Sequence, residues 1–299
     1  MTIPAIRQIQ RALLRWHEQD GLRAPWRESG DPYECLVAAV MAQQTQMPRV
    51  MASYERFMAA FPNLEALAAA SLGDVIRVWA GMGYNTRAVR LHRAARAIAR
   101  DGWPRTAAAL ERIDGIGPFT AAIIASFAFG EPAACVDTNV RRVLGRLAGD
   151  ESTSGKGLQR LADEWMASES PARWNQALMD YGARVCAPRP RCGDCVVARW
   201  CPSRERYAFP GVADERAAYT ARPRKKEPRY EGSTRFFRGK IIDALRALPH
   251  GAAIPLARLP RKIANGHAPP SLEETRALAA ALERHGLIVI ENEAVRLPD

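Results

Sequence analysis

Apolar residues recur along most of this chain with the 3.6-residue period of an amphipathic helix. The pattern predicts helices over residues 6–17, 32–44, 49–61, 64–70, 72–80, 87–100, 106–113, 119–129, 140–147, 157–168 and 173–186. Turn signals separate them: Gly30-Asp31-Pro32, Phe61-Pro62-Asn63, Gly81-Met82-Gly83 and Asp114-Gly115-Ile116-Gly117-Pro118. No strand alternation occurs before the C-terminal region. A basic, proline-containing stretch runs from about Ser203 to Arg229, with Arg222-Pro223-Arg224-Lys225-Lys226 at its centre, and reads as a linker. Beyond it, residues 236–248 and 272–285 predict helices. Residues 287–290 and 294–297, split by Glu291-Asn292-Glu293, predict a short hairpin. Helices followed by a two-stranded wing predict a small winged-helix-like α+β module after an all-α body. No internal repeat is present.

The chain has 299 residues, 47% of them hydrophobic, enough for a sizeable core in one large domain or two to three modules. The longest apolar stretches, 36–42 and 121–129, are too short to span a bilayer. The N-terminal sequence MTIPAIRQIQRALLRW is an amphipathic helix with charges where a signal peptide would be apolar. Secretion and membrane insertion are therefore not expected, and a cytoplasmic protein is. Lys and Arg total 43 against 32 for Asp and Glu, a net charge of +11. This Arg-rich excess suits a polyanionic partner. Four of the six cysteines, Cys186, Cys192, Cys195 and Cys201, fall within sixteen residues. Crowded thiols in a cytosolic chain indicate a metal site rather than disulfides. Cys35 and Cys135 stand alone in apolar segments and read as core residues.

Three local patterns carry chemistry. The cysteines follow the spacing C-x5-C-x2-C-x5-C, which fits either a tetrahedral zinc or a 4Fe–4S cluster. Arg184, Arg189, Arg191 and Arg199 surround it, so a metal there would pin a basic loop. In Leu110-x3-Asp114-Gly115-Ile116-Gly117-Pro118-Phe119-Thr120, two glycines let the backbone approach a ligand and a helix start presents amides to a phosphate. The same pattern also fits an ordinary helix–helix turn, and without a third glycine it is not a dinucleotide fingerprint. In Val136-Asp137-Thr138-Asn139-Val140, Asp137 is a helix N-cap. The five histidines (17, 92, 250, 267, 285) form no cluster, and no Ser/His/Asp set is evident.

Together these patterns resemble the helix–hairpin–helix DNA glycosylase superfamily, in its iron–sulfur branch of endonuclease III, MutY-type adenine glycosylases and thymine-mismatch glycosylases. The resemblance covers about residues 20–205 and is densest with the MutY type. It is carried by Pro25-Trp26-Arg27, Met41-x-Gln43-Gln44-Thr45-Gln46, Gly81-Met82-Gly83-Tyr84, Gly115-Ile116-Gly117-Pro118, Val136-Asp137-x-Asn139-Val140-x-Arg142-Val143 and Trp174-Asn175-Gln176-Ala177-Leu178-Met179-Asp180. It implies a two-lobed all-α fold and a 4Fe–4S cofactor on Cys186, Cys192, Cys195 and Cys201. The first two cysteines have five residues between them rather than the family's usual six, implying a tightened loop. It also implies an iron–sulfur and catalytic lobe from 1–24 and 131–206, a six-helix lobe from 25–130, a linker over 207–229 and a separate module over 230–299.

A base within a duplex must be flipped out to be reached. By resemblance, Gln44 and Tyr84 are the wedges that fill the hole, and Gly115, Gly117 and Thr120 hold the DNA backbone. Asp137 is the catalytic carboxylate that stabilises positive charge on the sugar, with Asn139 in support. Ala39, Phe119, Arg27 and Gln43 line the base pocket. Two of these depart from the family. Ala39 stands where MutY-type enzymes carry the Glu that protonates adenine, and Glu34, five residues earlier, lies about 140° around the helix. Phe119 stands where the MutY type has Tyr and endonuclease III has its Schiff-base Lys, and a Phe forms no imine. The C-terminal residues are too few and too helical for the 8-oxoguanine-reading domain of MutY. The expectation is a monomeric, monofunctional DNA N-glycosylase acting on duplex DNA with a damaged or mismatched base. An alkylated or deaminated base is favoured over adenine opposite 8-oxoguanine. The rivals are a true A/G adenine glycosylase and a non-catalytic lesion-binding protein on the same fold.

Overall fold

The structure is a computed structural model that describes residues 2–208 and 230–299. The expected linker over 207–229 lies, beyond Ala208, outside the described residues. No helix among them is long and apolar enough to cross a membrane.

By packing, the described residues divide into two units. The first takes in residues 2–39, 104–112 and 116–208, the second 40–103, 113–115 and 230–299. The first unit is helical. It holds α1 (Ile3–Asp20), α2 (Pro25–Glu28), most of α3 (Pro32–Ala42), α8 (Ala107–Leu110), α9 (Pro118–Phe129), α10 (Thr138–Ala148), α11 (Gly155–Glu164), α12 (Pro171–Arg184) and α13 (Arg204–Ala208). Ile9 and Leu13 of α1, Val140, Val143, Leu144 and Leu147 of α10, and Trp174, Leu178 and Tyr181 of α12 meet in one core. Their three- and four-residue spacings place each set on a single helix face. Helix α9 is apolar all round and buried from Thr120 to Ser126.

The second unit holds α4 (Met47–Ala60), α5 (Leu64–Ala69), α6 (Leu72–Val78), α7 (Thr86–Asp101) and the whole described C-terminal region. That region comprises α14 (Thr234–Arg246), α15 (Leu259–Ile263), α16 (Leu272–Arg284) and the strands β1 (Ile254–Pro255), β2 (Val289–Glu291) and β3 (Ala294–Arg296). The sheet is antiparallel in the order β1-β3-β2, with Ile254 and Ile290 both opposite Val295. Asn292 and Glu293, at φ +48° and +56°, make the two-residue turn between β2 and β3. Ser71, Ser233 and Ser271 cap α6, α14 and α16, the last in a capping box with Glu274.

The C-terminal region does not stand apart, as its sequence suggested. Ile76 of α6 and Val89 of α7 share one core with Phe236, Ile241, Ile242 and Leu297. Arg77 Nη1 donates to the carbonyls of Arg246 at 2.6 Å and Leu248 at 2.8 Å. Arg246 returns bonds to Ile76 O at 2.9 Å and Asn85 Oδ1 at 2.8 Å. The lobe boundary also moves, since α2 and α9 pack with the first unit rather than the second.

Candidate active site and DNA-facing loops

Asp137 caps α10. Its Oδ1 accepts the amides of Asn139 at 2.9 Å and Val140 at 2.7 Å, and its Oδ2 accepts Asn139 Nδ2 at 2.9 Å. Burial raises its carboxyl pKa above the usual value, against the lowering effect of those hydrogen bonds. The helix N-terminus fixes the carboxylate's position, and the nearby Arg142 charge adds to the lowering. Asn139 is held in turn: its Oδ1 accepts Arg142 Nη2 at 2.8 Å, while Arg142 donates to Gly182 O at 2.6 Å and Cys186 O at 2.7 Å. A Cβ on Gly182 would lie 2.7 Å from Asn139 Cβ and 2.9 Å from its carbonyl oxygen, so the close approach of α12 to α10 requires glycine there.

Ala39 is buried in α3 against Ala122, Ile123 and Cys135, with Phe119, Phe127 and Met179 packed around them. This wall is apolar. Glu34 lies elsewhere, half-buried at the start of α3 and accepting a hydrogen bond from Ser29 Oγ. Arg27, expected in the base pocket, is instead bound bidentately by Asp180 at 2.7 and 3.0 Å in a buried ion pair. Asp180 also accepts Leu22 N and lies 3.5 Å from His17 Nε2. Burial would raise the Asp180 pKa, but the bonds from His17 and Arg27 and the Arg27 charge pull it down to about 2.

In the second unit, Gln44 and Tyr84 are both exposed and both have left-handed backbones, at φ +53° and +42°. Helix α3 stops at Ala42, not at Gln44 as its pattern suggested, because Gln44 turns out of the helix. The residue that holds both loops was not singled out from sequence. Arg87, 4% exposed, sends Nη1 to the carbonyls of Val40, Met41 and Gln43 at 3.1, 2.8 and 2.6 Å and Nη2 to those of Met82 and Gly83 at 2.9 and 3.2 Å. Gln43, expected in the base pocket, thus supplies a carbonyl to this tether. The Arg87 guanidinium also lies 5.6 Å from the Tyr84 ring centroid. Burial lowers its pKa to about 10, which leaves it charged at neutral pH.

The glycine turn needs glycine at Gly115 because the backbone passes close to another part of the protein. Gly115 has φ +96°, and a Cβ there would lie 2.6 Å from the Arg90 carbonyl oxygen. Gly117 is exposed and N-caps α9. The Thr120 side chain is not available to a phosphate, since it is 1% exposed on the core side of the apolar helix α9.

Cys186, Cys192, Cys195 and Cys201 line one small cavity with Arg146. Arg146 Nη1 lies 3.4 Å from Cys186 Sγ, and the Tyr181 hydroxyl lies 3.1 Å from Cys195 Sγ. Among the described residues, no three His, Cys, Asp or Glu side chains converge on a site for a single metal ion.

Residues 37–168 match the family described as HhH-GPD superfamily base excision DNA repair protein. The adenine DNA glycosylase of Mycobacterium tuberculosis (strain CDC 1551 / Oshkosh) is 36% identical over 245 residues, which is 79% of this chain and 77% of that protein. The adenine DNA glycosylase of Homo sapiens is 38% identical over 213 residues, 65% of this chain but 39% of the human protein. Among solved structures, a thermostable thymine-DNA glycosylase superposes with a TM-score of 0.64 at 28% identity, over 68% of this chain and 98% of that one. A non-covalent endonuclease III–DNA complex gives a TM-score of 0.60 at 22% identity over 69% of this chain and 98% of that one, a likeness of fold alone. The chain belongs to the HhH-GPD superfamily of base excision DNA repair proteins. Within that superfamily its sequence is similar to the adenine DNA glycosylases.

Proposed function

We propose that this protein is a monofunctional DNA N-glycosylase in which Asp137 is the one catalytic carboxylate. The observation that carries this reading is a fixed, partly buried Asp137 two residues after Cys135, which packs with Ala39 in an apolar wall. As the N-glycosidic bond breaks, positive charge grows on the sugar, and a preorganised carboxylate stabilises it. Asn139 positions that carboxylate. Water completes the hydrolysis and leaves an abasic site. Imine chemistry needs an amine in the pocket. Phe119 offers none, and the first unit's lysine among the described residues, Lys156, is exposed on α11.

The apolar wall also bears on the substrate. With no carboxylic acid at Ala39, the departing base receives no proton from that position. An alkylated base already carries positive charge, and an altered pyrimidine departs as a stabilised anion. These are the substrates we favour. Adenine opposite 8-oxoguanine is the second reading, supported by the names of the relatives at 36–38% identity. The partner in either case is duplex DNA.

The cysteine loop fits a 4Fe–4S cluster. Its four thiols line one cavity with Arg146, and four thiolates are the donor set such a cluster takes. A bound cluster would cross-link the loop through Cys186, Cys192, Cys195 and Cys201, and no step of base release passes through it. Through Arg142, the Cys186 carbonyl is joined to Asn139, so loop order bears on the position of Asp137.

The test is single-turnover incubation with duplexes carrying alkylated bases, deaminated bases, or adenine opposite 8-oxoguanine, followed by alkaline cleavage of abasic sites. Release of one base, abolished by Asp137→Asn with binding retained, is the expected result. Binding without release of any base would favour the non-catalytic alternative. Release of adenine alone would select the second reading. Borohydride trapping of the wild-type protein would refute the monofunctional assignment.

A further inference from the structure

We propose that Asn175 is a positioning residue that sets the Asp137 carboxylate against the apolar wall at Ala39, by clamping the stretch of chain that leads into Asp137. This rests on the glycosylase reading and names a group outside the pocket on which base release depends. In the segment Trp174-Asn175-Gln176-Ala177-Leu178-Met179-Asp180, Trp174 and Leu178 serve the core and Asp180 holds Arg27. Asn175 does neither. It is 1% exposed, and its amide is spent on the backbone ahead of Asp137.

Residues 131–137 form neither helix nor strand, so no ladder satisfies their peptide groups. Buried peptide groups need partners, and side chains supply them here. Asn175 Oδ1 accepts the Cys135 amide at 3.0 Å. Asn175 Nδ2 donates to the Ala133 carbonyl and to Ser126 Oγ, both at 2.9 Å. Gln159 Nε2 adds a longer bond to the Ala134 carbonyl at 3.3 Å. The Cys135 amide can only donate and the Ala133 carbonyl can only accept, which fixes the orientation of the Asn175 amide. Aspartate at this position would lack the donors, and leucine would lack donors and acceptor alike.

The places this amide joins give the clamp its consequence. Cys135 stands two residues before Asp137 and packs with Ala39, Ala122 and Ile123. Ser126 lies on α9, the helix that supplies Ala122 and Ile123. One side chain of α12 therefore ties the wall to the approach to the carboxylate. Two turns further along the same face of α12, Gly182 lies against Asn139, two residues after Asp137. Helix α12 thus grips the chain on both sides of Asp137. The amides of Asn139 and Val140 fix the carboxylate to the start of α10, and Asn175 fixes the entry to that start relative to the wall. A reacting group displaced by about 1 Å can lose about 10²-fold in rate, so a loosened entry should be felt in the chemical step.

Single-turnover base release and duplex affinity are measured for the full-length protein on the alkylated, deaminated and adenine·8-oxoguanine duplexes, and amide exchange is followed on the same variants. On the duplex from which wild type releases its base, Asn175→Ala should slow release about 10- to 100-fold and leave duplex affinity unchanged. Exchange should accelerate over 133–137 while the middle of α10 stays protected. Ser126→Ala removes only the bond that does not reach this stretch of chain, and should release base at close to the wild-type rate. If Asn175→Ala does not fold, Asn175→Ser, whose hydroxyl can keep one bond to the segment, should show the same pattern with a smaller loss of rate. Equal losses of release and affinity, or a loss in Ser126→Ala as large as in the Asn175 variant, would mark general packing and overturn the positioning role. Wild-type release that the Asn175 variants leave unchanged would overturn it too and leave the glycosylase reading intact. No release of any base by wild type would overturn that reading and the positioning role with it.

Discussion

Replacing Arg87 by Met tests whether one buried cation holds the two loops that carry Gln44 and Tyr84. Met fills much of the same volume and removes every guanidinium donor. Its three shortest bonds, to Gln43 O at 2.6 Å, Met41 O at 2.8 Å and Met82 O at 2.9 Å, go to main-chain carbonyls of both loops. A hydrogen bond from a charged donor contributes a net 1.5–3 kcal/mol or so. Three such losses would total about 4–9 kcal/mol, but removing the charge also removes the cost of desolvating it, and water reaches part of the loops. The expected destabilisation is about 3–5 kcal/mol, read as a shift in denaturation midpoint at constant slope. Arg87→Lys keeps the charge but cannot span both loops, so it should lose about half as much. Gln44 and Tyr84 have left-handed backbones that non-glycine residues hold at a cost of roughly 1–2 kcal/mol each. Without the tether both should relax, and amide exchange should accelerate over 43–46 and 82–85 while α5 and α6 stay protected. Stability within about 1 kcal/mol of wild type, or unchanged exchange in both loops, would refute the reasoning.

Three further outcomes follow from the first unit. Asn139→Ala removes a hydrogen bond that lowers an Asp137 pKa already raised by burial, so the carboxylate will protonate at still higher pH. The acid limb of the single-turnover rate should therefore move to higher pH, and a limb that stays put or moves down would count against Asp137 as the ionising group. Gly182→Ala forces a methyl to within 2.7 Å of Asn139 Cβ, and should reduce base release far more than DNA binding in a kinetic and binding comparison. Arg27→Met breaks a pair whose side chains are both 8% exposed and should cost about 3–5 kcal/mol of stability. The Asp180 pKa is lowered to about 2, so its contribution to wild-type stability is present above the unfolded value of 3.8 and lost as pH falls from there through 2. Acid unfolding followed by circular dichroism should lose that component in Arg27→Met.

The helices were legible because their apolar faces are built from local spacing, and Asp137 was legible as an N-cap because capping is a local property too. What the sequence hid depends on distant partners. Arg87 is one of several arginines on α7, with Arg90, Arg93 and Arg96, and composition does not distinguish them. The usable signal was its position, four residues before Leu91 on the buried stripe that runs on through Ala95 and Ile98. The break at Gln44 was hidden for the same reason, since its left-handed turn is held by Arg87 from another helix rather than by glycine or asparagine chemistry. The two-residue strand β1 is too short to show alternation and exists through its pairing with β3. The attachment of the C-terminal region to α6 and α7 rests on Ile76 and Val89, which in sequence are ordinary members of helical stripes.

The Ala39→Glu variant addresses the substrate most directly. A Glu there would enter a site 6% exposed, among Ala122, Ile123 and Cys135. Four added heavy atoms over-pack that wall at a cost of roughly 1–3 kcal/mol. Burial without a cation raises a carboxyl pKa, so the new side chain should stay protonated near neutral pH. A neutral acid beside a departing purine is the donor that the natural wall lacks, and general-acid catalysis contributes about 10²–10⁴-fold. If leaving-group protonation is what separates this chain from its adenine-releasing relatives, the variant should gain adenine release from 8-oxoguanine-containing duplexes. Its activity on a base that needs no proton should change little, and its acid limb, set by Asp137, should not move. If the variant folds, binds the duplex, and releases adenine no faster than wild type, the missing proton donor does not set the substrate. If wild type already releases adenine at a rate the Glu does not improve, Asp137 and water suffice for a neutral purine, and the preference argued from Ala39 falls with it.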